Sequence, residues 1–139
     1  MLKQLTHVGI AVRNLEKSMG TFSKLFQNEA GGTETVPDQK VNLAFFHLGG
    51  ASIELTEATS PESPVAKFIE KRGEGVHHLS FEVEDIESEI ARLKTEGFQM
   101  IDYKPRLGAG GYWIAFVHPK STHGVLVEIC QKVNGEQSY

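Results

Sequence analysis

Four residues carry the chemistry that this 139-residue sequence offers: His7, Glu54, His78 and Glu128. They form two pairs at nearly the same spacing, with 47 residues from His7 to Glu54 and 50 from His78 to Glu128. Two imidazoles and two carboxylates suit a borderline divalent metal such as Co, Zn, Ni, Mn or Fe. Four such ligands on a wide concave surface would leave coordination positions for water or substrate, as a catalytic metal needs. Taken singly each residue says little, because a histidine at a strand start commonly makes a structural hydrogen bond and a strand glutamate commonly faces water. Their repetition in register singles them out.

The pairs sit on an internal repeat. His7-Val8-Gly9-Ile10-Ala11-Val12-Arg13-Asn14-Leu15-Glu16 is written again as His78-Leu79-Ser80-Phe81-Glu82-Val83-Glu84-Asp85-Ile86-Glu87. Such a repeat fixes the architecture before any local choice does. In the first copy Val8, Ile10 and Val12 alternate with His7, Gly9 and Ala11, so the histidine shares a strand face with two very small residues and lines a cleft. Asn14 is a helix N-cap, and Leu15, Met19, Phe22 and Phe26 recur as one amphipathic stripe that should cover the opposite face. Val41 to Leu48 and Ala51 to Thr56 read as a hairpin around Gly49-Gly50. In its second arm Ser52, Glu54 and Thr56 face the cleft. Thr33 to Val36 reads as an edge strand.

The second copy follows the same plan. Asp85 caps a helix bearing Ile86, Ile90 and Leu93, and Gly97 ends it. Met100 to Tyr103 reads as a short strand. Lys104 to Gly111 is a glycine-rich loop, and strands follow over Tyr112 to His118 and Val125 to Gln131. Between the copies, Ser63-Pro64 starts a linking helix that Gly73 and Gly75 stop. Each copy thus reads β-α-β-β-β. The fold class is α+β: two βαβββ modules whose sheets curl into a half-barrel around a metal site, with helices outside. Module one spans about 4–57, the linking helix about 63–72 and module two about 76–131, all in one domain over 1–139. The tail from Val133 is polar and reads as frayed.

The other histidines fit less well. His77 has the wrong strand parity, His47 has no counterpart in the second copy, and His118 and His123 flank the last turn. Cys130, two residues after Glu128, faces the cleft as a small filler, with no histidine placed in sequence to activate it. The formal charge of −4 provides no basic face for nucleic acid. One cysteine allows no internal disulfide, and no stretch approaches the roughly 20 apolar residues of a membrane span. No signal-peptide pattern opens the sequence, and the chain reads as cytoplasmic.

With these motifs in place, the sequence resembles the vicinal oxygen chelate superfamily, which includes glyoxalase I, extradiol dioxygenases and fosfomycin-resistance proteins. Within it the sequence is similar to the methylmalonyl-CoA epimerases over His7 to Gln131. The most specific likenesses are Ser60 to Phe68, Gly75-Val76-His77-His78, Lys104 to Gly111, His118-Pro119-Lys120-Ser121 and Gly124 to Glu128. The resemblance implies that His7, Glu54, His78 and Glu128 hold a divalent metal (Co, Zn, Ni or Mn). It implies proton abstraction alpha to an acyl-CoA thioester, with Glu128 as one acid/base and Glu54 as ligand and second base. It places substrate contacts at Gln39, Lys104, Arg106, Gly110, Lys120 and Ser121, and it implies a homodimer. Lys104, Arg106 and Lys120 could hold the phosphates of coenzyme A, or could be solvated charges on an ordinary hairpin loop. One departure stands out: some relatives carry a glutamate in the strand after a Gln-Gly pair, where this chain has Gln39-Lys40 and then Leu43. The alternatives are a glyoxalase I-like isomerase acting on a thiol hemithioacetal, and a non-catalytic binding protein of the same fold.

Overall fold

The computed structural model describes residues 1–133; the end of the tail read above as frayed lies outside the described residues. The elements in order are β1 (Leu2–Ala11), α1 (Leu15–Phe26), β2 (Gly32–Val36), β3 (Val41–Leu48), β4 (Ala51–Ala58) and α2 (Pro64–Arg72). They continue with β5 (Gly75–Val83), α3 (Ile86–Thr95), β6 (Arg106–Leu107), β7 (Tyr112–Val117) and β8 (Val127–Lys132). The chain divides into two compact units, His7–His77 and, in the other, Met1–Thr6 with the residues from His78 onward.

The two units are wired alike. In the first, β2 pairs antiparallel with β3, β3 antiparallel with β4, and β4 parallel with β1. In the second, β6 pairs antiparallel with β7, β7 antiparallel with β8, and β8 parallel with β5. The N-terminal half of β1 belongs to this second unit: Glu84 N–H donates to the Met1 carbonyl at 3.2 Å, and Thr6 Oγ1 donates to the Ser80 carbonyl at 3.1 Å.

The helices form where capping and periodicity place them. The Asn14 side chain accepts from Lys17 N–H, Ser63 from Val65 N–H ahead of Pro64, and Asp85 from Glu87 and Ser88 N–H. Each cap satisfies an amide that the first helical turn leaves without a partner. The apolar stripe of α1 packs on its own unit: Val12, Leu15, Ala44, Phe46 and Leu55 form a core against which Ile10, Met19, Phe22 and Phe26 pack. The α3 stripe does the same, with Ile86, Ile90 and Leu93 joining Val83, Ala115, Val117 and Ile129. In both units the helix therefore covers one face of the sheet, and the residues of opposite parity are left to the other.

One expected element differs. No strand forms over residues 100–103; Met100 makes a single bridge to Val117, and the strand is β6, inside the stretch read as a glycine-rich loop. Asp102 is the physical reason. Its Oδ2 accepts from Phe116 N–H at 2.9 Å, while Ile101 and Asp102 N–H both converge on the Phe116 carbonyl at 2.8 and 3.3 Å. The carboxylate takes over a ladder position that backbone would otherwise fill, and the strand stops.

Phe46 tests the packing of the first unit. It is fully buried and meets Phe26 edge-on, ring centroids 5.4 Å apart. Phe46→Ala is expected to lower the unfolding free energy by about 3–5 kcal/mol in urea titrations. A loss under about 1 kcal/mol would contradict the packing of α1 described above.

Candidate functional site

Each unit buries one imidazole and one carboxylate on the face opposite its helix. In the first, β1 carries His7 and β4 carries Glu54; both are almost completely buried, and His7 Nε2 lies 3.2 Å from Glu54 Oε2. Burial pushes the His7 pKa down to about 3, so this is a neutral imidazole beside a carboxylate and not an ion pair near pH 7. The spacing has a second meaning. Two donors each about 2.1 Å from one ion, in neighbouring coordination positions, lie roughly 3 Å apart. A neutral ring nitrogen and a carboxylate oxygen at 3.2 Å therefore fit a shared divalent cation in both distance and donor type.

In the second unit, β5 carries His78 and β8 carries Glu128, again both buried. The His78 ring meets Phe116 edge-on, centroids 5.9 Å apart, and Phe116 stands opposite Glu128 in the β7–β8 ladder. Burial lifts the Glu128 pKa to about 7; a hydrogen bond from the Ser80 hydroxyl and the charge of Arg106 oppose that rise, and Asp102 adds to it. A bound cation would draw it down again.

The registers of the two glutamates match. Glu54 stands between Gly9 of β1 and Phe45 of β3, and Glu128 between Ser80 of β5 and Phe116 of β7. A small residue on one side and a phenylalanine on the other give each carboxylate a slot in an otherwise apolar wall. That wall is signalled in the sequence, where Ala44-Phe45-Phe46-His47 repeats as Ala115-Phe116-Val117-His118. His47 therefore does have a counterpart, His118, contrary to the expectation above. Both are structural: His47 Nδ1 is 3.0 Å from Ser52 Oγ, and His118 Nδ1 accepts from Lys120 N–H.

Comparison with known proteins agrees with this architecture. The model of the glyoxalase/bleomycin resistance protein/dioxygenase superfamily matches residues 6–116. The chain belongs to this superfamily. An ethylmalonyl-CoA/methylmalonyl-CoA epimerase of Cereibacter sphaeroides is 38% identical, with 94% of this chain and 99% of that protein aligned. Among solved structures, a Streptomyces coelicolor methylmalonyl-CoA epimerase variant in complex with 2-nitronate-propionyl-CoA superposes with a TM-score of 0.91 at 33% identity, covering 95% of this chain and 96% of that one. A hypothetical protein of Bacillus halodurans superposes with a TM-score of 0.90 at 44% identity, covering 93% and 94%.

The residues expected at a substrate lie in different places. Arg106, on β6, is on the Glu128 side of its unit: its guanidinium carbon is 5.9 Å from the centre of the Phe116 ring and its Nε is 3.2 Å from Asp102 Oδ1. Lys104 lines a cavity of about 650 Å³ shared with Asp85, Glu87, Trp113 and Gln131, next to α3. Gly110 takes a left-handed conformation, φ 67°, in a short 3-10 turn before β7, as glycine readily does. Lys120 is exposed, and Ser121 Oγ accepts from Gln99 N–H at 2.9 Å. Gln39 sits in the β2–β3 turn, its N–H donating to the Val36 carbonyl. Asp102 was missed in the sequence because its stretch reads as a strand; its spacing of four from Arg106 was the available signal.

Cys130 is fully buried, with its sulfur 3.5 Å from Ser80 Oγ and 3.7 Å from Thr6 Oγ1. Burial first, and then nearby carboxylates, push its pKa up to about 12. At pH 8 only about one thiol in ten thousand is then ionised. Native protein is expected to resist iodoacetamide at that pH and to be alkylated fully in guanidinium chloride, as read by mass spectrometry. Alkylation of the folded protein at the rate of a free cysteine would contradict this placement.

Proposed function

We propose that this chain epimerises methylmalonyl-CoA, or a closely related 2-alkylmalonyl-CoA, at C2 with the help of a divalent metal held by His7, Glu54, His78 and Glu128. The observation that carries the reading is the repeated pair: a buried imidazole and a buried carboxylate in the same register in both units, in a chain 38% identical to an ethylmalonyl-CoA/methylmalonyl-CoA epimerase. The chain passes between units within β1 at Thr6–His7 and within β5 at His77–His78, so each joining strand enters its new unit on a candidate ligand.

Epimerisation removes the proton from C2, delocalises the electron pair onto the thioester oxygen, and returns a proton to the other face. The metal, when bound, supplies positive charge to the developing enolate. Glu128 is assigned as one acid/base. Its burial among apolar side chains raises its proton affinity, and a bound cation would lower it again, so the two effects oppose each other at this carboxyl group. Glu54, the repeat counterpart of Glu128, is assigned as the second. Leu43 is buried opposite Thr56, so that cleft-facing strand position brings no carboxylate. Phe116, Ile114 and Tyr112 give the Glu128 side a buried apolar wall that keeps water from the reacting carbon. A cytoplasmic location and a homodimer are the expectations that accompany this reading; no helix among the described residues is long and apolar enough to cross a membrane.

Deuterium wash-in at C2, followed by NMR with metal-loaded protein and methylmalonyl-CoA in deuterated water, tests the assignment. Wild type is expected to exchange, and Glu128→Gln to exchange at least about 100-fold more slowly. No exchange by the wild type would overturn the epimerase reading, and equal exchange by the variant would remove Glu128 from the chemistry.

A further inference from the structure

Arg106 is the one basic candidate for substrate contact that the structure holds in place on the Glu128 face, and two side chains hold it there. Asp102 Oδ1 lies 3.2 Å from its Nε as an ion pair, and the same carboxylate is anchored through Oδ2, which accepts from Phe116 N–H at 2.9 Å. The guanidinium then lies 5.9 Å from the centre of the Phe116 ring, within the range of a cation–π contact. Phe116 is the direct cross-strand partner of Glu128. Such partners have Cβ atoms about 5 Å apart. One planar cation is therefore fixed beside the assigned acid/base, and its charge acts on that carboxylate.

The repeat does not require this cation. Arg106 stands opposite Ile114, whose counterpart in the first copy is Leu43; the residue opposite Leu43 is Glu34. The two copies thus carry opposite charges at equivalent positions, and the Asp102–Arg106 pair belongs to the second alone. A difference of this kind serves a substrate whose two ends differ. Methylmalonyl-CoA has such ends at the reacting carbon: a thioester on one side and a free carboxylate on the other.

We propose that Arg106 receives the free carboxylate of the malonyl group and not the phosphates of coenzyme A, with Asp102 as its positioning residue. This rests on the epimerase reading above. The pantetheine arm separates the phosphates from the thioester, so a cation this close to the acid/base meets the acyl end. A guanidinium paired with an anchored carboxylate and laid against a ring is confined to this side of the unit, and its planar fork is the shape that matches a carboxylate bidentately. Binding the carboxylate there also orients C2 toward Glu128.

The test compares two ligands that differ only in that carboxylate. Metal-loaded wild type, Arg106→Gln and Asp102→Asn are assayed for KM and kcat with methylmalonyl-CoA and for inhibition by propionyl-CoA, with thermal unfolding as a control. Arg106→Gln is expected to raise KM for methylmalonyl-CoA by roughly ten- to a hundredfold, while the inhibition constant of propionyl-CoA stays within about twofold. Asp102→Asn is expected to raise the same KM by a smaller factor, with propionyl-CoA again unaffected. Parallel weakening of both ligands by Arg106→Gln would overturn the assignment in favour of a phosphate contact or a purely structural role. An unchanged KM would overturn it in favour of a solvated charge. An inactive wild type would instead remove the epimerase reading itself, and the carboxylate assignment with it.

Discussion

The constraint on which the structure turns is the burial of two glutamates, one in each unit. Taking an ionised carboxylate out of water is costly unless something answers its charge. This chain buries two carboxyl groups, Glu54 and Glu128, both almost fully inaccessible. The answer is built differently on the two sides. Glu54 meets the neutral ring of His7 at 3.2 Å, whereas Glu128 is met by the Ser80 hydroxyl and the field of Arg106, which only partly offset its desolvation. A divalent cation would relieve both.

The rest of each unit makes that burial tolerable. One face of β1, β3, β4, β5, β7 and β8 is committed to an aliphatic and aromatic core under a capped helix, which supplies the packing energy. The other face can then carry polar groups in narrow slots, with Gly9 or Ser80 leaving room and Phe45 or Phe116 closing the far side. The copies diverge where chemistry needs asymmetry. Glu34 and Leu43 mark one side, Arg106 and Ile114 the other, and only the second copy gains an aspartate that cuts a strand short to hold an arginine.

Much of this was legible in the sequence because it depends on short-range pattern. The caps Asn14, Ser63 and Asp85, the stripe from Leu15 to Phe26 and the alternation around His7 and His78 each encode a local geometry that the structure retains. The paired histidines and glutamates could be read because a repeat turns weak single signals into a joint one. What could not be read depends on side chains meeting across the sheet. Asp102 looks like part of a strand until its carboxylate is seen taking the Phe116 amide, and Arg106 looks like a solvated loop charge until Asp102 and Phe116 are found around it. The equivalence of His47 and His118 was legible in the Ala-Phe-x-His pattern, but it emerges only once strands β3 and β7 are aligned by register.

The central claim is that the two His/Glu pairs serve one ion. Metal content of the full chain, measured by mass spectrometry after loading with Co(II) and removal of free metal, tests it most directly when His7→Ala and His78→Ala are measured beside the wild type. The account predicts one ion per chain in the wild type and loss of tight binding in either variant. Two ions per chain, or one that survives either substitution undiminished, would contradict it.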